Sequence, residues 1–398
     1  MENSMTVIEL LSVISQGETS KVQFKLRLDQ NDSIAAEMIA MSNSLGGIII
    51  FGVEDKTGRI EGLTYEELQR TNSAIGNIAN DYIKPLIYVS TEVISVGDDL
   101  KNVLIVHIPE GIAKPYKDRN GTIWVKQGGD KRKLTDNSEQ IRLFQQSGLI
   151  YVDEMIVPET GIDDINEKKV EEYLTNIGQK EIDVPKEVLL KNINILKNGC
   201  LTLGGLLFFG KNPQQFRPAF CIKAVSFYGM DISDSEYRDS VDIVGTVPEM
   251  FNDAIGFFKR NLHYIQNNRN FNSTGELEIP QVVLEEILQN ALTHRDYSKN
   301  SPIRILIFED RVEIISPGSL PNSLTVENIR MGNSVVRNNL IVSYSSKLMY
   351  YRGIGSGILR ALKYAPTLEL IDDKQGELFK VILHRPKVGS SSPHEYSG

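Results

Sequence analysis

The sequence predicts a multidomain α+β protein. Three observations lead to this class: the chain is long, its composition is that of a folded protein, and helical patterns alternate with β-branched segments. Its 398 residues exceed one domain of about 100–200 residues, and 41% hydrophobic with 24% charged residues is ordinary for globular domains. We therefore expect several packed domains, each built from helices and strands.

The overall charge and the cysteine content exclude several classes of protein. The formal net charge is −9, so a surface that binds nucleic acid must be a local basic patch. Cys200 and Cys221 belong to no CxxC or Cys/His cluster, which argues against a disulfide scaffold and structural zinc. The apolar stretches at 46–53 and 201–209 are shorter than the roughly 18–20 residues of a membrane span. No basic segment precedes the first apolar run, so we expect a cytoplasmic protein without a membrane partner.

The first zone, residues 1–145, is predicted to be an α+β domain. A helical pattern at 6–15 ends before Gly17, and a second one at 32–44 ends before a pair of glycines that can form a left-handed cap. β-branched segments then predict strands, at 48–53, 87–96, 102–108 and 121–126.

The second zone, residues 146–275, shows no pattern that indicates chemistry. Acidic helical segments at 166–177 and 248–264 alternate with an apolar stretch at 201–210 and a strand candidate at 220–228. We therefore predict a connecting or packing region of mixed α/β structure.

The third zone, residues 276–386, combines a helix, a hairpin and a glycine cluster. Pro280 lies near the start of a helical pattern, and strands are predicted at 303–308 and 312–316. A polar loop and the glycine cluster lead to a helix that ends near Tyr364, and closing strands follow at 367–371 and 379–384. Residues 387–398 are rich in Ser, Gly and Pro and predict a disordered tail.

A carboxylate and a carboxamide lie one turn apart on the first helix of this third zone. Glu286 and Asn290 are four residues apart and therefore share one helical face. A carboxamide oxygen can coordinate Mg²⁺, which prefers oxygen ligands, and a carboxylate can activate an attacking water. A solvated surface pair is the structural alternative.

The glycine cluster has the character of a phosphate site. Gly353, Gly355 and Gly357 surround Ser356 and precede a helix. Glycines let backbone N–H groups approach phosphate oxygens, and a helix N-terminus adds favourable partial charge. A simple turn is the alternative for such a motif alone, and its order after the helix and hairpin favours the phosphate site.

The third zone resembles the divergent GHKL-type ATPase domain of bacterial proteins usually labelled transcriptional regulators. The resemblance is carried by the strings EILQNALTHRDY at 286–297, SPGSLP at 316–321 and RGIGSG at 352–357. It implies a Bergerat-type α/β sandwich in which Glu286 is the general base, Asn290 holds Mg²⁺ and the glycines line the phosphate end. It also implies that segment 320–352 is a lid, and that further nucleotide contacts come from His294, Arg295, Gly318, Arg337 and Asn338. A capping or packing role is the alternative for His294 and Arg295.

The chain departs from the GHKL pattern at the base end of this pocket. More typical members end the second hairpin strand in an Asp that accepts the adenine amino hydrogen, whereas this chain has Ser316. A serine hydroxyl can accept the same hydrogen bond, though without the charge that strengthens it.

The first zone resembles the Schlafen AlbA-type DNA-binding domain. The resemblance is carried by GETSKVQFK at 17–25, AMSNSLGG at 40–47, FGVED at 51–55, KPY at 114–116 and WVKQG at 124–128. Nuclease members of the wider family use acidic residues that map here to Glu18 and Asp55. The intervening acidic position is Gln23 in this chain, which removes a charge from any metal site and makes nuclease activity the less favoured interpretation.

Basic residues are concentrated between positions 114 and 133, with aromatic residues among them. Cations that neutralise phosphates beside aromatics that stack on bases predict a nucleic-acid surface. The alternative is a solvated hairpin rim. The predicted contacts are Lys25, Lys114, Tyr116, Lys117, Arg119, Trp124, Lys126, Lys131, Arg132 and Lys133.

The two resemblances together predict an ATP-binding regulatory protein. In this hypothesis the binding or slow hydrolysis of Mg·ATP by the C-terminal domain controls the binding of DNA, rather than RNA, or of a partner. Homo-oligomers are implied because GHKL-like lids commonly dock across subunits. Two alternatives remain open: an ATP-gated Schlafen-like nuclease that acts in defence against foreign nucleic acid, and an interaction protein whose nucleotide pocket has decayed.

Overall fold

The structure is a computed structural model that divides the chain into two compact units, residues 1–150 and 151–398. It describes residues 5–97, 99–179, 184–233, 236–265, 275–321, 324–349 and 355–386. The predicted tail at 387–398 and Gly353 of the predicted phosphate site lie outside the described residues.

The first unit is an α+β domain around a four-stranded sheet of order β1-β2-β5-β4, in which β1 and β2 are parallel and the other neighbours antiparallel. Its helices are α1 (Val7–Gln16), α2 (Asn31–Asn43), α3 (Tyr65–Asp81) and α4 (Asn137–Gln146). Its strands are β1 (Val22–Lys25), β2 (Gly47–Phe51), β3 (Ile83–Lys84), β4 (Ser90–Val96), β5 (Lys101–Ile108), β6 (Lys117–Asp118), β7 (Trp124–Gln127) and β8 (Asp130–Lys133).

Helices cover both faces of this sheet. Apolar side chains of α2 and α3, among them Ile34 and Ile75, form one core with Ile49 of β2, while Leu10 of α1 belongs to a second core with Phe24 of β1. The α3 helix escaped the sequence analysis, although Thr64 and Glu67 form a capping box at its start. The Schlafen-like first zone thus has the α+β fold that was predicted.

The second unit is built on a six-stranded sheet of order β12-β11-β15-β16-β18-β17, in which β11 and β15 are parallel and the other neighbours antiparallel. Its helices are α5 (Glu167–Asn176), α6 (Lys186–Asn192), α7 (Leu203–Phe209), α8 (Pro213–Phe216), α9 (Val247–Asn261), α10 (Gln281–His294), α11 (Val326–Arg330), α12 (Asn339–Leu348) and α13 (Ser356–Tyr364). Its strands are β9 (Leu196–Lys197), β10 (Cys200–Leu201), β11 (Ile222–Phe227), β12 (Tyr237–Ile243), β13 (Tyr264–Ile265), β14 (Glu276–Leu277), β15 (Ile303–Ile307), β16 (Arg311–Pro317), β17 (Glu369–Asp373) and β18 (Leu378–His384).

One face of this sheet carries the large core of the second unit. Ile305 and Ile314 point into a core that also contains Ile287 of α10, Phe257 of α9 and Phe209 of α7. Alternate residues of the same strands, such as Leu306, belong to a smaller cluster on the opposite face. The result is a sheet with helices packed on one face, the predicted α/β sandwich.

The segment predicted as a connecting region, 146–275, is not a separate unit. Strand β11 pairs with β15, and β12 pairs with β11 at the sheet edge, so both strands extend the sheet of the C-terminal zone. The helices α7 and α9 share its core. The parallel pairing of β11 with β15 is long-range, and a local pattern does not reveal it. None of the helices that the structure describes combines the length and the hydrophobicity that a bilayer crossing requires.

Candidate functional site

A cavity in the second unit lies between α10, α13, the strands β16 and β18, and the segment from 318 to 337. It encloses about 1140 Å³ of space free of atoms, its open mouth included. Most of the residues predicted to bind nucleotide line it, although they come from distant parts of the sequence. They are Glu286, Asn290, His294, Ser316, Gly318, Arg337, Gly355, Ser356 and Gly357.

The carboxylate of Glu286 lies at one end of the cavity and pairs with an arginine that the sequence analysis missed. Arg360 of α13 donates from Nη1 to Glu286 Oε1. Burial raises the pKa of Glu286 above its usual value, and the Arg360 guanidinium acts in the opposite direction. The sequence signal for Arg360 is its spacing: it lies four residues after Ser356 and therefore on the same helical face.

The carboxamide of Asn290 is an unsatisfied polar group of this cavity. Its Nδ2 atom is buried and has no hydrogen-bond partner among the described residues. A half-turn of the carboxamide would bring its oxygen to that position. Because a buried amide without a partner costs free energy, a ligand that completes its hydrogen bonding would be stabilised here.

Two glycines allow α13 to approach α10 and the segment around Gly332. A Cβ atom at Gly357 would lie 2.5 Å from Glu286 Oε2 and 3.3 Å from Asn290 Nδ2. Gly355 has a φ of 73°, and a Cβ atom there would collide with the carbonyl oxygen of Gly332. The two glycines therefore let the N-terminus of α13 lie close to α10 and to the segment around Gly332 at the cavity.

Ser316 belongs to β16, lies against the C-terminal half of α10 and is buried. Its hydroxyl donates to the carbonyl oxygen of Ala291 at 3.3 Å. Because the hydrogen is used in this way, the oxygen lone pairs remain available as acceptors. Ser316 can thus accept a hydrogen bond from a ligand amino group, as the sequence predicts.

The far end of the cavity holds a neutral histidine and an arginine, both half-buried. Burial, with the Arg337 guanidinium nearby, lowers the pKa of His294 to about 4. The Arg337 guanidinium donates to the carbonyl oxygens of Ser319 at 2.6 Å and His294 at 3.4 Å. A neutral imidazole provides no charge for a phosphate, so a charged phosphate contact at His294 is not favoured, although the residue lines the cavity.

Two residues predicted to contact nucleotide do not line the cavity. Arg295 donates to the carbonyl oxygens of Lys299 and Ser301, and its guanidinium lies 4.7 Å from the ring centres of Phe220 and Tyr297. It is a packing residue, the alternative that the sequence analysis had left open.

Asn338 also has a structural contact in place of the predicted one. Its Nδ2 donates to the carbonyl oxygens of Thr293 at 2.9 Å and Arg295 at 2.8 Å, at the C-terminal end of α10. Free carbonyls at a helix end need such donors, and this requirement explains the position.

In the first unit, one of the predicted nucleic-acid contacts is the centre of a buried network. The side chain of Lys126 is 1% exposed. Its ammonium lies 2.7 Å from Glu37 Oε1, 3.0 Å from Gln23 Oε1 and 2.6 Å from the carbonyl oxygen of Gly129. The prediction for Lys126 is therefore wrong, because its charge already has partners inside the protein. A clue in the sequence was Glu37, a charge within the otherwise apolar run from Ile34 to Met41 of α2.

Lys114 and Tyr116 are also buried. The side chain of Lys114 is 2% exposed, and its ammonium donates to the Ser44 carbonyl and to Glu110. Tyr116 is 6% exposed and belongs to the core. Neither side chain can contact a nucleic acid in this structure.

The other basic residues of this surface differ in how far their charges are neutralised. Within the described residues, Arg119 pairs with Asp32, Arg132 with Glu139 and Lys131 with Glu37. By contrast, Lys25, Lys117 and Lys133 form no ion pair with any described residue, and Lys133 lies 5.5 Å from the centre of the Trp124 ring. We call these three lysines the unpaired lysines.

The two acidic residues considered for nuclease activity do not form a metal site with a third acid. Glu18 accepts the backbone N–H of Phe24 at 2.8 Å and the side-chain amide of Gln23. Asp55 is in an exposed turn after β2. Across the described ranges, no three His, Cys, Asp or Glu side chains come close enough to hold a metal ion.

Comparison with known families matches both predicted domains. Residues 18–135 match the family "Schlafen, AlbA_2", and residues 300–378 match "Putative ATP-dependent DNA helicase recG C-terminal", a HATPase_c_4 domain. Residues 141–223 match a domain of unknown function, DUF8451. The predicted architecture is thus confirmed: a Schlafen AlbA-type domain precedes an ATPase-like domain. The second match begins after α10 and therefore does not include Glu286 and Asn290. Their assignment to a nucleotide site depends instead on their position in the cavity lining.

No curated protein sequence matches the chain. Among solved structures, the chain is similar to the crystal structure of the DIP2311 protein from Corynebacterium diphtheriae, with 20% identity and a TM-score of 0.48. That similarity covers 96% of this chain and 80% of the other.

Proposed function

We propose that the second unit binds Mg·ATP in the cavity between α10 and α13. One observation carries the proposal: the unpartnered carboxamide of Asn290 faces this cavity next to Gly357, where a side chain would collide. The match of 300–378 to an ATPase-like family is consistent with this use. The N-terminus of α13 suits the phosphate end of a nucleotide, and the hydroxyl of Ser316 suits the base end as a hydrogen-bond acceptor.

Each residue of the cavity has a separate role in this proposal. Asn290 would hold the magnesium ion, which when bound neutralises phosphate charge. The N-terminal N–H groups of α13 bind phosphate oxygens, and Ser316 accepts a hydrogen bond from the base. Glu286 Oε1 or Oε2 accepts a proton from an attacking water when hydrolysis occurs.

We further propose that nucleotide binding changes the affinity of the first unit for DNA. The match to a Schlafen AlbA-type family and the unpaired lysines support DNA binding by this unit. Thermodynamic linkage requires that DNA then changes the affinity for nucleotide by the same factor. The proposal includes a cytoplasmic location, as expected from the sequence analysis, and self-association, which the resemblance to GHKL proteins implies.

Titration of the full chain with ATP in the presence and absence of Mg²⁺ tests the first part. We expect Mg²⁺-dependent binding that is lost in Asn290→Ala. The matched control is Gln281→Ala, because Gln281 is exposed on the same helix and outside the cavity. If Asn290→Ala binds Mg·ATP as tightly as the wild type, the cavity is not the ATP site. If the wild type binds no ATP, the chain is better explained as an interaction protein whose nucleotide pocket has decayed.

The second part is tested by measuring DNA affinity with and without Mg·ATP over a range of salt concentrations. We expect affinity to fall with salt, because phosphate contacts release counterions, and to change when ATP is added. An affinity that ATP leaves unchanged in the wild type would contradict the regulatory coupling.

A further inference from the structure

Arg360 connects the two helices that enclose the proposed phosphate end of the cavity. Its Nη1 atom donates to Glu286, and its Nη2 atom lies 3.5 Å from Ser356 Oγ in the first turn of α13. The guanidinium therefore lies beside the helix N-terminus that is expected to bind phosphates.

The second arginine of the cavity is far from this end. Glu286 and His294 are eight residues apart on α10, which corresponds to about 12 Å along the helix axis. Arg337 contacts the backbone of His294 and Ser319 at the far end, where its guanidinium is enclosed. Of the two arginines in the described lining, Arg360 is therefore the one placed to reach a terminal phosphate.

The Arg360 side chain keeps both the freedom and the hydrogen-bonding capacity to bind a ligand. It is 37% exposed, so it can move without leaving a cavity in the core. A guanidinium has five N–H donors in one plane, and phosphate oxygens accept two of them in parallel. Its interaction with Glu286 uses only part of this capacity.

We infer that Arg360 recognises the terminal phosphate of a nucleoside triphosphate and, until that phosphate is bound, holds Glu286 in an ion pair. Without nucleotide the guanidinium neutralises the carboxylate that the proposed function uses as general base. The terminal phosphate takes the guanidinium from Glu286, and the freed carboxylate can then accept a proton from water. The inference rests on the proposed function and adds how the site distinguishes triphosphate from diphosphate.

This arrangement makes Glu286 a competitor of the phosphate for Arg360. Removing the charge of Glu286 should therefore strengthen the binding of ATP, because Arg360 is then free before the ligand arrives. Removing Arg360 should weaken the binding of ATP much more than that of ADP, which has no terminal phosphate at this position. The two substitutions should also be non-additive, because they act through one interaction.

The test measures the dissociation constants of ATP and ADP with Mg²⁺ for the full chain by calorimetric titration. We expect Arg360→Ala to weaken ATP roughly tenfold to a hundredfold and ADP less than about threefold. Glu286→Gln should tighten ATP about threefold to tenfold, and this gain should disappear in the double variant. Lys363→Ala is the matched control, because Lys363 is an exposed cation on the same helix outside the cavity.

Equal losses of ATP and ADP affinity in Arg360→Ala would overturn the inference, as would a gain from Glu286→Gln that persists without Arg360. If Arg360→Ala does not fold, Arg360→Gln carries the same comparison, since it removes the charge and keeps most of the length. If the wild type binds neither ATP nor ADP, the proposed function is overturned. If the wild type binds both, and the variants keep the same ratio of ATP to ADP affinity, this inference alone is overturned.

Discussion

The ammonium of Lys126 lies 2.7 Å from the carboxylate of Glu37 inside the first unit, with side chains only 1% and 4% exposed. Lys131 contacts the second oxygen of the same carboxylate at 3.1 Å. Buried charges persist only when they are paired and hydrogen-bonded, because desolvation is expensive. This network joins α2 to the β7–β8 hairpin, so its charges hold the fold together.

Lys126→Met should destabilise the first unit strongly. The substitution leaves the Glu37 carboxylate buried with a weaker set of partners, and breaking a buried ion pair typically costs about 3–5 kcal/mol. Trp124 is the one tryptophan of the chain and lies in β7, so its fluorescence during urea unfolding reports on this unit.

Arg59→Met is the control for this measurement. Arg59 pairs with Glu61 on the surface of the same unit and is 67% exposed, so its loss should cost no more than about 1 kcal/mol. Similar unfolding midpoints for the two variants would contradict a structural role for Lys126.

The buried lysines show why the sequence predicts the lining of the cavity better than it predicts the exposed basic surface. Asn290 and Gly357 were grouped by the order and spacing of their motifs, and the fold brings them together at one cavity. For Lys114 and Lys126, sequence position says nothing of burial, which depends on distant partners: Ser44 is 70 residues from Lys114, and Glu37 is 89 residues from Lys126. The parallel pairing of β11 with β15 was missed for the same reason: it is long-range.

The unpaired lysines should carry the salt-dependent part of DNA binding. Lys133→Ala should weaken affinity for DNA of any sequence, because a phosphate contact carries no sequence information. Each lost phosphate contact should also reduce the slope of log affinity against log salt by about 0.9. Gel-shift titrations at several salt concentrations measure both effects.

The control for DNA binding is Lys56→Ala, because Lys56 is exposed in the same unit but lies in the turn after β2. We expect this variant to keep the wild-type salt slope. An unchanged slope for Lys133→Ala together with a reduced slope for Lys56→Ala would place the DNA on a different face of the first unit.

Asp153 should make the stability of the second unit depend on pH. Its Oδ2 accepts the N–H of Ile341 in the first turn of α12, while Oδ1 is buried and has no partner among the described residues. Burial raises the pKa of this carboxyl from 3.8 to about 6. The native state therefore binds the proton more tightly than the unfolded state, so stability falls as pH rises from about 4 to about 6 and is level above that.

Asp153→Asn should remove this dependence. The difference in free energy of unfolding between wild type and variant should change by up to about 3 kcal/mol between pH 4 and pH 7, at about 1.4 kcal/mol per pKa unit. Urea unfolding followed by circular dichroism measures it. The control, Asp163→Asn, removes an exposed carboxylate from the neighbouring turn and should show a constant difference. A constant difference for Asp153→Asn as well would contradict the raised pKa.

Alanine substitutions at Gly355 and Gly357, at the N-terminus of α13, should distinguish an effect on the stability of the fold from an effect on ATP binding. Gly355 has a φ of 73° and touches the Gly332 carbonyl, so Gly355→Ala should lower the melting temperature. Gly357 is helical, and alanine is favoured over glycine there by roughly 0.5–1 kcal/mol, so Gly357→Ala should keep or raise the melting temperature.

Gly357→Ala should nevertheless impair the site. The new methyl group would lie 2.5 Å from Glu286 Oε2 and 3.3 Å from Asn290 Nδ2 in the present geometry, so it would occupy space between the N-terminus of α13 and the proposed magnesium ligand. We expect weaker Mg·ATP binding in calorimetric titrations of a fully folded variant. Because the melting temperature and the affinity then change in opposite directions, a general loss of structure cannot account for the result. A Gly357→Ala protein that binds Mg·ATP like the wild type would mean that the phosphates lie elsewhere in the cavity.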